Sequence, residues 1–225
     1  MTFLALAGKV AAVAVRNTPQ QLGCKLRVQE STAPMKQFSS TKFAILLMLF
    51  MSSVVAQAVP VNVRDPHGAV HRPLEAQGSK AIVMIFVAHD CPISNAYAPE
   101  VNRLHRTYAA QGIRFYMVYV DPKLTAAAAK KHAHDFGYKS TVLLDTKKAL
   151  AKATGATVTP EAVVVLPGGK LLYRGRINDK HVAYGKTRRT ATKQDLRDVI
   201  DLVLTGKLPK QPIITTAIGC FIPED

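Results

Sequence analysis

An unbroken apolar run, Ala81–Val87, constrains the fold of this chain more than any other stretch. A short apolar run that is rich in β-branched and aromatic residues is typical of a strand buried on both faces. Beyond this run, apolar residues recur at spacings of three and four, which forms one face of a helix. These residues are Ile93, Tyr97, Val101, Leu104 and Tyr108. The sequence therefore predicts a central strand that leads directly into a helix.

Cys91 lies at the junction between the predicted strand and the predicted helix. Pro92 suits the first helical turn, where its missing N–H costs nothing. The unpaired N–H groups and the dipole at a helix N-terminus favour the thiolate, which is the reactive form of cysteine. The negative charge of Asp90 opposes this effect. Cys91 could instead simply pack in the core, as buried free cysteines commonly do, but its position favours a reactive thiolate.

The N-terminal part of the chain has the pattern of an export leader. A short basic segment is followed by an apolar core and then by the small residues Ala56-Gln-Ala58. This three-part pattern predicts a secretory signal peptide over residues 35–58. The protein would start at either Met1 or Met35, and residues 1–34 would be an upstream extension of the leader.

The apolar core of this leader is shorter than the roughly 20 residues that a transmembrane helix needs. Cleavage after Ala58 is therefore favoured over retention as a membrane anchor. We expect the mature chain, residues 59–225, to be exported to the periplasm or the cell exterior, with no stable membrane insertion. It is long enough for one domain with its own hydrophobic core.

Export would leave two cysteines, Cys91 and Cys220, because Cys24 lies in the predicted leader. An oxidising compartment permits a disulfide. Two cysteines are too few for a fold that is stabilised mainly by disulfides, so the fold must be stabilised by its hydrophobic core. The whole sequence has a net charge of +15. Its basic residues are spread out, apart from a denser patch at 186–189, and we interpret them as a solvated surface. For an exported protein we expect no nucleic-acid partner.

Strands and helices alternate along the mature chain, which predicts an α/β domain. Strands are predicted over residues 59–64, 81–87, 113–120, 141–145, 161–166 and 171–177, and helices after Cys91, over 125–136 and 146–153, and from Thr192 to Gly206. Pro167-Gly-Gly-Lys170 has the composition of a hairpin turn. The expected architecture is a central mixed sheet, mainly parallel with an antiparallel edge, flanked by helices on both faces.

This order of elements resembles the thioredoxin-like fold, and within it the redoxin domains of the AhpC/TSA type. Cys-Pro-Ile-Ser at 91–94 is similar to the active-site motif of that family, and Thr159-Pro160 is similar to its cis-proline motif. The resemblance covers about Val59 to Cys220. It implies a catalytic Cys91 with Pro160 lying against it. It also implies a thiol reductant or a disulfide-bearing protein as partner, and no nucleotide or flavin motif indicates a cofactor.

At three positions the sequence departs from the motifs of related families, and each departure argues against one kind of active site. Ser94 stands where thioredoxins have the second cysteine of C-x-x-C, so no disulfide can form within this motif. Ala88 stands where peroxiredoxins have a threonine, which argues against efficient peroxidase activity. Asn95 stands where copper-assembly proteins of the SCO type have a second cysteine, so a copper site would need other ligands.

Cys220 is the second candidate redox residue. A lone thiolate that attacks a peroxide becomes a sulfenic acid, whereas attack on a disulfide gives a mixed disulfide, and a second thiol can resolve either product. The position of Cys220 after the last helix resembles the C-terminal resolving cysteines of some peroxiredoxins; the alternatives are a static bridge or an unpaired thiol. Arg174 and Arg176, on the hairpin strand, would support the thiolate by the same resemblance, but solvent-facing charges are the favoured interpretation.

The histidines give little indication of a metal site. His89 lies two residues before Cys91, and cysteine with imidazole suits copper or zinc. However, no spacing resembles a zinc motif, and His132 and His134 would point apart on a helix. We therefore expect no metal site.

Taken together, these features predict an exported thiol-dependent oxidoreductase, an antioxidant redoxin domain that acts on peroxide or on protein disulfides. Its predicted catalytic residues are Cys91, Pro160 and Cys220. Two alternatives stay open: a copper-handling module that uses Cys91 and a histidine, and an interaction domain that keeps the fold without turnover.

Overall fold

The structure is a computed structural model that describes residues 60–223. The predicted leader, residues 1–58, with its signal peptide over residues 35–58, lies outside the described residues. Within residues 60–223, no helix is both long and apolar enough to cross a membrane.

Twelve strands and five α-helices make up the described part of the chain. The strands are β1 (Val63–Arg64), β2 (Val70–His71), β3 (Ala81–Val87), β4 (Ile113–Tyr119), β5 (Thr141–Leu144), β6 (Val158–Thr159), β7 (Glu161–Val165), β8 (Leu171–Gly175), β9 (His181–Ala183), β10 (Lys186–Thr187), β11 (Ile213–Ile214) and β12 (Cys220–Phe221). The helices are α1 (Pro92–Ala96), α2 (Ala98–Tyr108), α3 (Ala126–Asp135), α4 (Ala149–Thr154) and α5 (Asp195–Leu204).

Eight strands form one mixed sheet in the order β11-β8-β7-β3-β4-β5-β1-β2. Strand β3 lies near its centre, parallel to β4 and antiparallel to β7. The hairpin of β7 and β8 adds antiparallel strands, as its Pro-Gly-Gly-Lys turn predicts, and β11 joins the edge of β8 in parallel. The thioredoxin-like α/β fold with a mixed central sheet is therefore confirmed. The expectation of a mainly parallel sheet was wrong, because four of the seven strand pairs in this sheet are antiparallel.

Alternate residues of β3 pack on opposite faces of the sheet. Val83 and Ile85 belong to a core that α2, α3 and α5 cover, whereas Met84 and Phe86 belong to a second core that α4 helps to cover. Every residue of β3 is buried, which explains why this strand is apolar throughout instead of alternating. Helices on both faces are thus confirmed, and the carboxyl end of β3 delivers the chain to Cys91.

The helix predicted after Cys91 is two consecutive helices, α1 and α2. They meet at Tyr97, whose backbone stays in the right-handed helical region (φ −86°, ψ −7°) but ends α1 and precedes α2. The cause is Pro99, which has no N–H to donate and whose ring excludes the carbonyl four residues earlier. The predicted buried face is nevertheless right, because Tyr97, Val101, Leu104 and Tyr108 all lie in one core.

The last helix begins at Asp195, and the prediction of a start at Thr192 was wrong. The Thr192 side chain does not cap a helix but donates to Asp179 over 2.5 Å, and the backbone N–H of Lys193 also donates to Asp179, over 2.9 Å. Asp195 instead pairs with Arg176 through two hydrogen bonds of 2.8 and 3.0 Å. Asp179 therefore holds the approach to α5 in a non-helical conformation, and residues 181–187 form the β9–β10 hairpin.

Candidate active site

Cys91 lies between β3 and α1, at the position that the sequence predicts. It is the N-cap residue of α1, with an extended backbone (φ −83°, ψ 114°), and Pro92 opens the helix. Its side chain is only 1% exposed. The thiol therefore lies at the N-terminus of a helix and is shielded from solvent by the surrounding chain.

The three predicted site residues come together in space. The Thr159–Pro160 peptide bond is cis, and Cys91 Sγ lies 3.3 Å from the Thr159 carbonyl oxygen. Cys220 Sγ lies 2.7 Å from Cys91 Sγ, although 129 positions separate the two residues in the chain. Both cysteines are free thiols, so the structure holds two reduced sulfur atoms in position to form a bond.

The pKa values of the two thiols shift in opposite directions. Burial raises the pKa of Cys91, but hydrogen bonds from Cys220 and from Ser94 outweigh it, so the net shift is downward. Burial and then the hydrogen bond to Cys91 raise the pKa of Cys220 to about 11. Cys91 is therefore the more acidic thiol of the pair, and Cys220 donates a hydrogen bond to it.

Ser94 supports Cys91 from the third position of α1. Its side chain is buried, and its hydroxyl has no hydrogen-bond partner within residues 60–223. Its backbone N–H and its hydroxyl both lower the pKa of Cys91. From the sequence, this position was considered only for its missing cysteine, so the effect of Ser94 on the pKa of Cys91 was missed.

Replacing Ser94 by alanine is expected to raise the pKa of Cys91, because the thiolate loses the hydroxyl that stabilises it. The pH midpoint for alkylation of Cys91 should therefore move to a higher pH. Ser79→Ala is the matched control, since the Ser79 hydroxyl donates to the Ala76 carbonyl, away from the site. An unchanged midpoint in Ser94→Ala, measured by mass spectrometry of the Cys91 peptide, would contradict this role.

The C-terminal segment 213–223, called the strap below, brings Cys220 to the site. Strand β12 in the strap pairs antiparallel with β6, and Cys220 lies opposite Thr159. A Cβ added to Gly219 would lie 2.0 Å from the Thr159 carbonyl oxygen, so this close approach requires glycine. The Tyr184 hydroxyl also donates to the Gly219 carbonyl. No sequence feature indicated that the tail would form a strand here.

The arginines of the hairpin strand are held by other residues. Arg174 donates to the Gly155 carbonyl over 2.5 Å and lies 3.7 Å from the Glu161 carboxylate. Glu161 in turn accepts the backbone N–H of Thr157 over 2.7 Å. Arg176 forms its two hydrogen bonds with Asp195. The interpretation of both arginines as solvent-facing charges was wrong, because they fix the loop before Pro160 and the start of α5.

A polar chain links α1 to the neighbouring helix α3. The Tyr119 hydroxyl lies 2.7 Å from His132 Nδ1, and His132 Nε2 lies 3.0 Å from Asn95 Oδ1. Asn95 Nδ2 donates to the His89 carbonyl over 3.1 Å. His89 Nδ1 lies 3.4 Å from the Asp121 carboxylate. These contacts hold the loop before Cys91.

Across residues 60–223, no group of three or more His, Cys, Asp or Glu side chains is arranged to hold a metal ion.

Comparison with known proteins identifies relatives of this chain. A family model described as Redoxin matches residues 55–193. The fold is similar to that of a hypothetical protein from Sinorhizobium meliloti 1021, at 26% identity and a TM-score of 0.62, covering 74% of this chain and 91% of that one. An uncharacterized conserved protein from Geobacillus kaustophilus has 26% identity and a TM-score of 0.65, covering 75% and 90%.

A third structure with a similar fold has a description that names an activity. It is a putative thiol:disulfide interchange protein DsbE from Chlorobium tepidum, with 24% identity and a TM-score of 0.52. The alignment covers 66% of this chain and 95% of that one. At this identity the likeness concerns the fold alone. No curated protein matches this chain.

Proposed function

Because this chain belongs to the redoxin family, we propose that it is a thiol–disulfide oxidoreductase in which Cys91 is the nucleophile and Cys220 the resolving thiol. The observation that carries this proposal is the pair of free sulfur atoms 2.7 Å apart, with a lowered pKa on Cys91 and a raised pKa on Cys220. A thiolate next to a protonated thiol is the arrangement that a two-cysteine exchange cycle needs.

The first step is attack by the Cys91 thiolate on one sulfur of a partner disulfide. A bond forms between Cys91 and that sulfur, the partner's S–S bond breaks, and the second partner sulfur leaves as a thiolate with the electron pair. The helix N-terminus and the backbone N–H of Ser94 favour the thiolate of Cys91 in this step. The product is a mixed disulfide between Cys91 and the partner.

The second step is resolution by Cys220. Its sulfur attacks Cys91 Sγ, the Cys91–Cys220 bond forms, and the remaining partner sulfur leaves as a thiolate that takes up the proton of Cys220. The partner is thereby reduced by two electrons, and this protein holds one disulfide. A thiol reductant returns the pair to two thiols, so the cycle requires no bound cofactor.

Pro160 acts as a positioning residue in this scheme. It directly follows Thr159, whose carbonyl oxygen lies 3.3 Å from Cys91 Sγ, and Glu161 fixes the preceding loop through the Thr157 N–H. Thr159 also lies opposite Cys220 of the strap. Cys91, Pro160 and Cys220 thus form one functional unit.

Disulfide exchange fits this site better than peroxide reduction. Ala88 offers no hydroxyl to hold a peroxide, and the guanidinium groups of Arg174 and Arg176 are committed to Glu161 and Asp195. We place the functional domain at residues 59–225, exported to the periplasm or the cell exterior after removal of the leader. Copper handling and a purely structural role are the outcomes that the following test separates from exchange.

The test is non-reducing peptide mapping of the purified protein after a pulse of oxidised glutathione, with hydrogen peroxide in a parallel sample. Exchange predicts a Cys91–Cys220 link that forms with oxidised glutathione and disappears with dithiothreitol. Two thiols that stay free with both oxidants would overturn the proposal. A link that forms only with peroxide would replace disulfide exchange by peroxide reduction, and Cys91-dependent binding of Cu⁺ without any link would support the metal-handling alternative.

Two substitutions at Cys220 should separate its two roles. Cys220→Ala and Cys220→Ser both remove the resolving thiol, so each should accumulate the Cys91–glutathione mixed disulfide. Serine keeps a hydrogen-bond donor near Cys91, whereas alanine does not. We therefore expect a higher Cys91 pKa, and slower alkylation near neutral pH, in Cys220→Ala than in Cys220→Ser. Identical pH profiles would show that Cys220 does not stabilise the thiolate.

A further inference from the structure

Strand β6 forms a two-stranded sheet with β12 of the strap, separate from the main sheet. Thr159 Oγ1 lies 3.3 Å from the Cys220 carbonyl oxygen, to which it donates, and the Ile222 N–H donates to the Thr157 carbonyl over 2.9 Å. Without the strap, the backbone groups of β6 that face it would be unpaired. An open strand edge of this kind pairs readily with an extended polypeptide.

The strap also occupies the position from which any partner sulfur must approach. Cys220 Sγ lies 2.7 Å from Cys91 Sγ, and Cys91 is 1% exposed. A partner disulfide and the docked Cys220 therefore cannot occupy this position at the same time. The strap must leave before Cys91 can form a mixed disulfide.

Only part of the strap is held tightly: Thr215 hydrogen-bonds with Tyr173 and Arg176, and Ile222 packs against the second core. Strands β11 and β12 are each two residues long. The side chains of Ile214 and Phe221 are 53% and 79% exposed, so they contribute little apolar burial to docking. Segments with few buried contacts open at a low free-energy cost.

Resting on the proposed function, we propose that the strap is a removable cover that occupies the docking edge of the substrate. The substrate class is an extended polypeptide segment with a disulfide-bonded cysteine, which pairs antiparallel with β6 in the register that Cys220 now holds. The strap itself shows that this edge accepts an extended chain and delivers a cysteine sulfur to Cys91. Substrate docking and resolution are thus sequential uses of one edge.

Undocking of the strap sets the order of the chemical steps. With the strap away, the substrate pairs with β6, the Cys91 thiolate attacks its cysteine sulfur, and the other sulfur of that disulfide leaves with the electron pair. The strap then displaces the substrate from β6, and Cys220 attacks Cys91 Sγ as described above. Each return of the strap expels the product.

The experiment compares two reagents that release the same leaving group. One is a synthetic peptide of sequence 213–223 whose cysteine forms a disulfide with thionitrobenzoate, and the other is the small symmetric disulfide of thionitrobenzoate. The full-length protein carries Cys220→Ser, so that no resolution follows. Modification of Cys91 is measured by mass spectrometry in this background alone and with Gly219→Ala, Ile222→Pro or Thr216→Ala.

Gly219→Ala and Ile222→Pro should each undock the strap, the first by collision with the Thr159 carbonyl and the second by loss of an N–H donor. Thr216→Ala is the control, because Thr216 is an exposed strap residue. If β6 is free about a tenth of the time when the strap can dock, undocking should accelerate the peptide reaction about tenfold. The small disulfide should gain less, and only the peptide rate should saturate with concentration.

An equal peptide rate with and without the undocking substitutions would overturn the proposed cover. Equal acceleration of both reagents would overturn the docking edge, because mere exposure of Cys91 would then explain the gain. Failure of both reagents to modify Cys91 in every variant would instead refute the proposed function itself. The circular dichroism of each variant establishes that it is folded, and the two undocking variants test the inference independently.

Discussion

Replacing Cys91 by serine is expected to abolish disulfide exchange, with a loss of about 1,000-fold or more in the rate of substrate reduction. A serine hydroxyl stays protonated near neutral pH, and the site contains no base that would activate it. The substitution is nearly isosteric, so the fold should persist. The measurement is the rate at which the protein reduces a disulfide-bonded peptide in the presence of excess dithiothreitol, corrected for the reaction with dithiothreitol alone.

Two other cysteine substitutions serve as comparisons for Cys91→Ser. In the unprocessed full-length chain, Cys24→Ser, in the predicted leader, should leave exchange unchanged. Cys220→Ser should slow turnover less than Cys91→Ser does, because dithiothreitol can still attack the mixed disulfide at Cys91. If Cys91→Ser retained more than a small fraction of the rate, or if Cys220→Ser were the more damaging change, the assignment of nucleophile and resolving thiol would be wrong.

The substitution Phe86→Ala is expected to destabilise the fold more than any surface change. Phe86 is fully buried near the end of β3, where it pairs with Val118 of β4 and Glu161 of β7. Truncating a buried phenylalanine costs roughly 3–5 kcal/mol of unfolding free energy. For a domain of this size, the melting temperature should fall by roughly 6–20 °C.

Val70→Ala provides the matched apolar truncation on the surface, since Val70 is 54% exposed. Its effect should stay within about 0.5 kcal/mol of unfolding free energy. Urea titrations of the reduced proteins would measure both variants. Similar midpoints for Phe86→Ala and Val70→Ala would mean that the second core contributes little to stability, contrary to its complete burial.

The central strand and the reactive helix start could be predicted from local sequence because their signals are local. Ala81–Val87 is buried on both faces, so its apolar character is continuous, and Cys91-Pro92 carries the composition of a helix start. The break at Tyr97 was also visible in Pro99, whose effect on the backbone is local. It was missed because the apolar spacing across the break still follows a single helical face.

The start of the last helix could not be predicted from local sequence. Thr192 and Asp195 have the spacing of a helix cap, but both side chains bind partners that are distant in the sequence, Asp179 and Arg176. Which partner a polar side chain chooses depends on tertiary structure. The same holds for the strap, because nothing in its sequence indicates that Gly219 approaches the Thr159 carbonyl.

The separation of the two thiols along the chain has a consequence for folding. A bond between Cys91 and Cys220 would span 129 positions and so restrict most of the unfolded domain. In the chain-entropy model a closed loop of this size stabilises the native state by about 5 kcal/mol. Folding and oxidation then belong to one thermodynamic cycle: the native structure favours the closed bond, and the closed bond favours the native structure. Each turnover would pass the protein between a more stable and a less stable form, and the supply of reductant would set which form predominates.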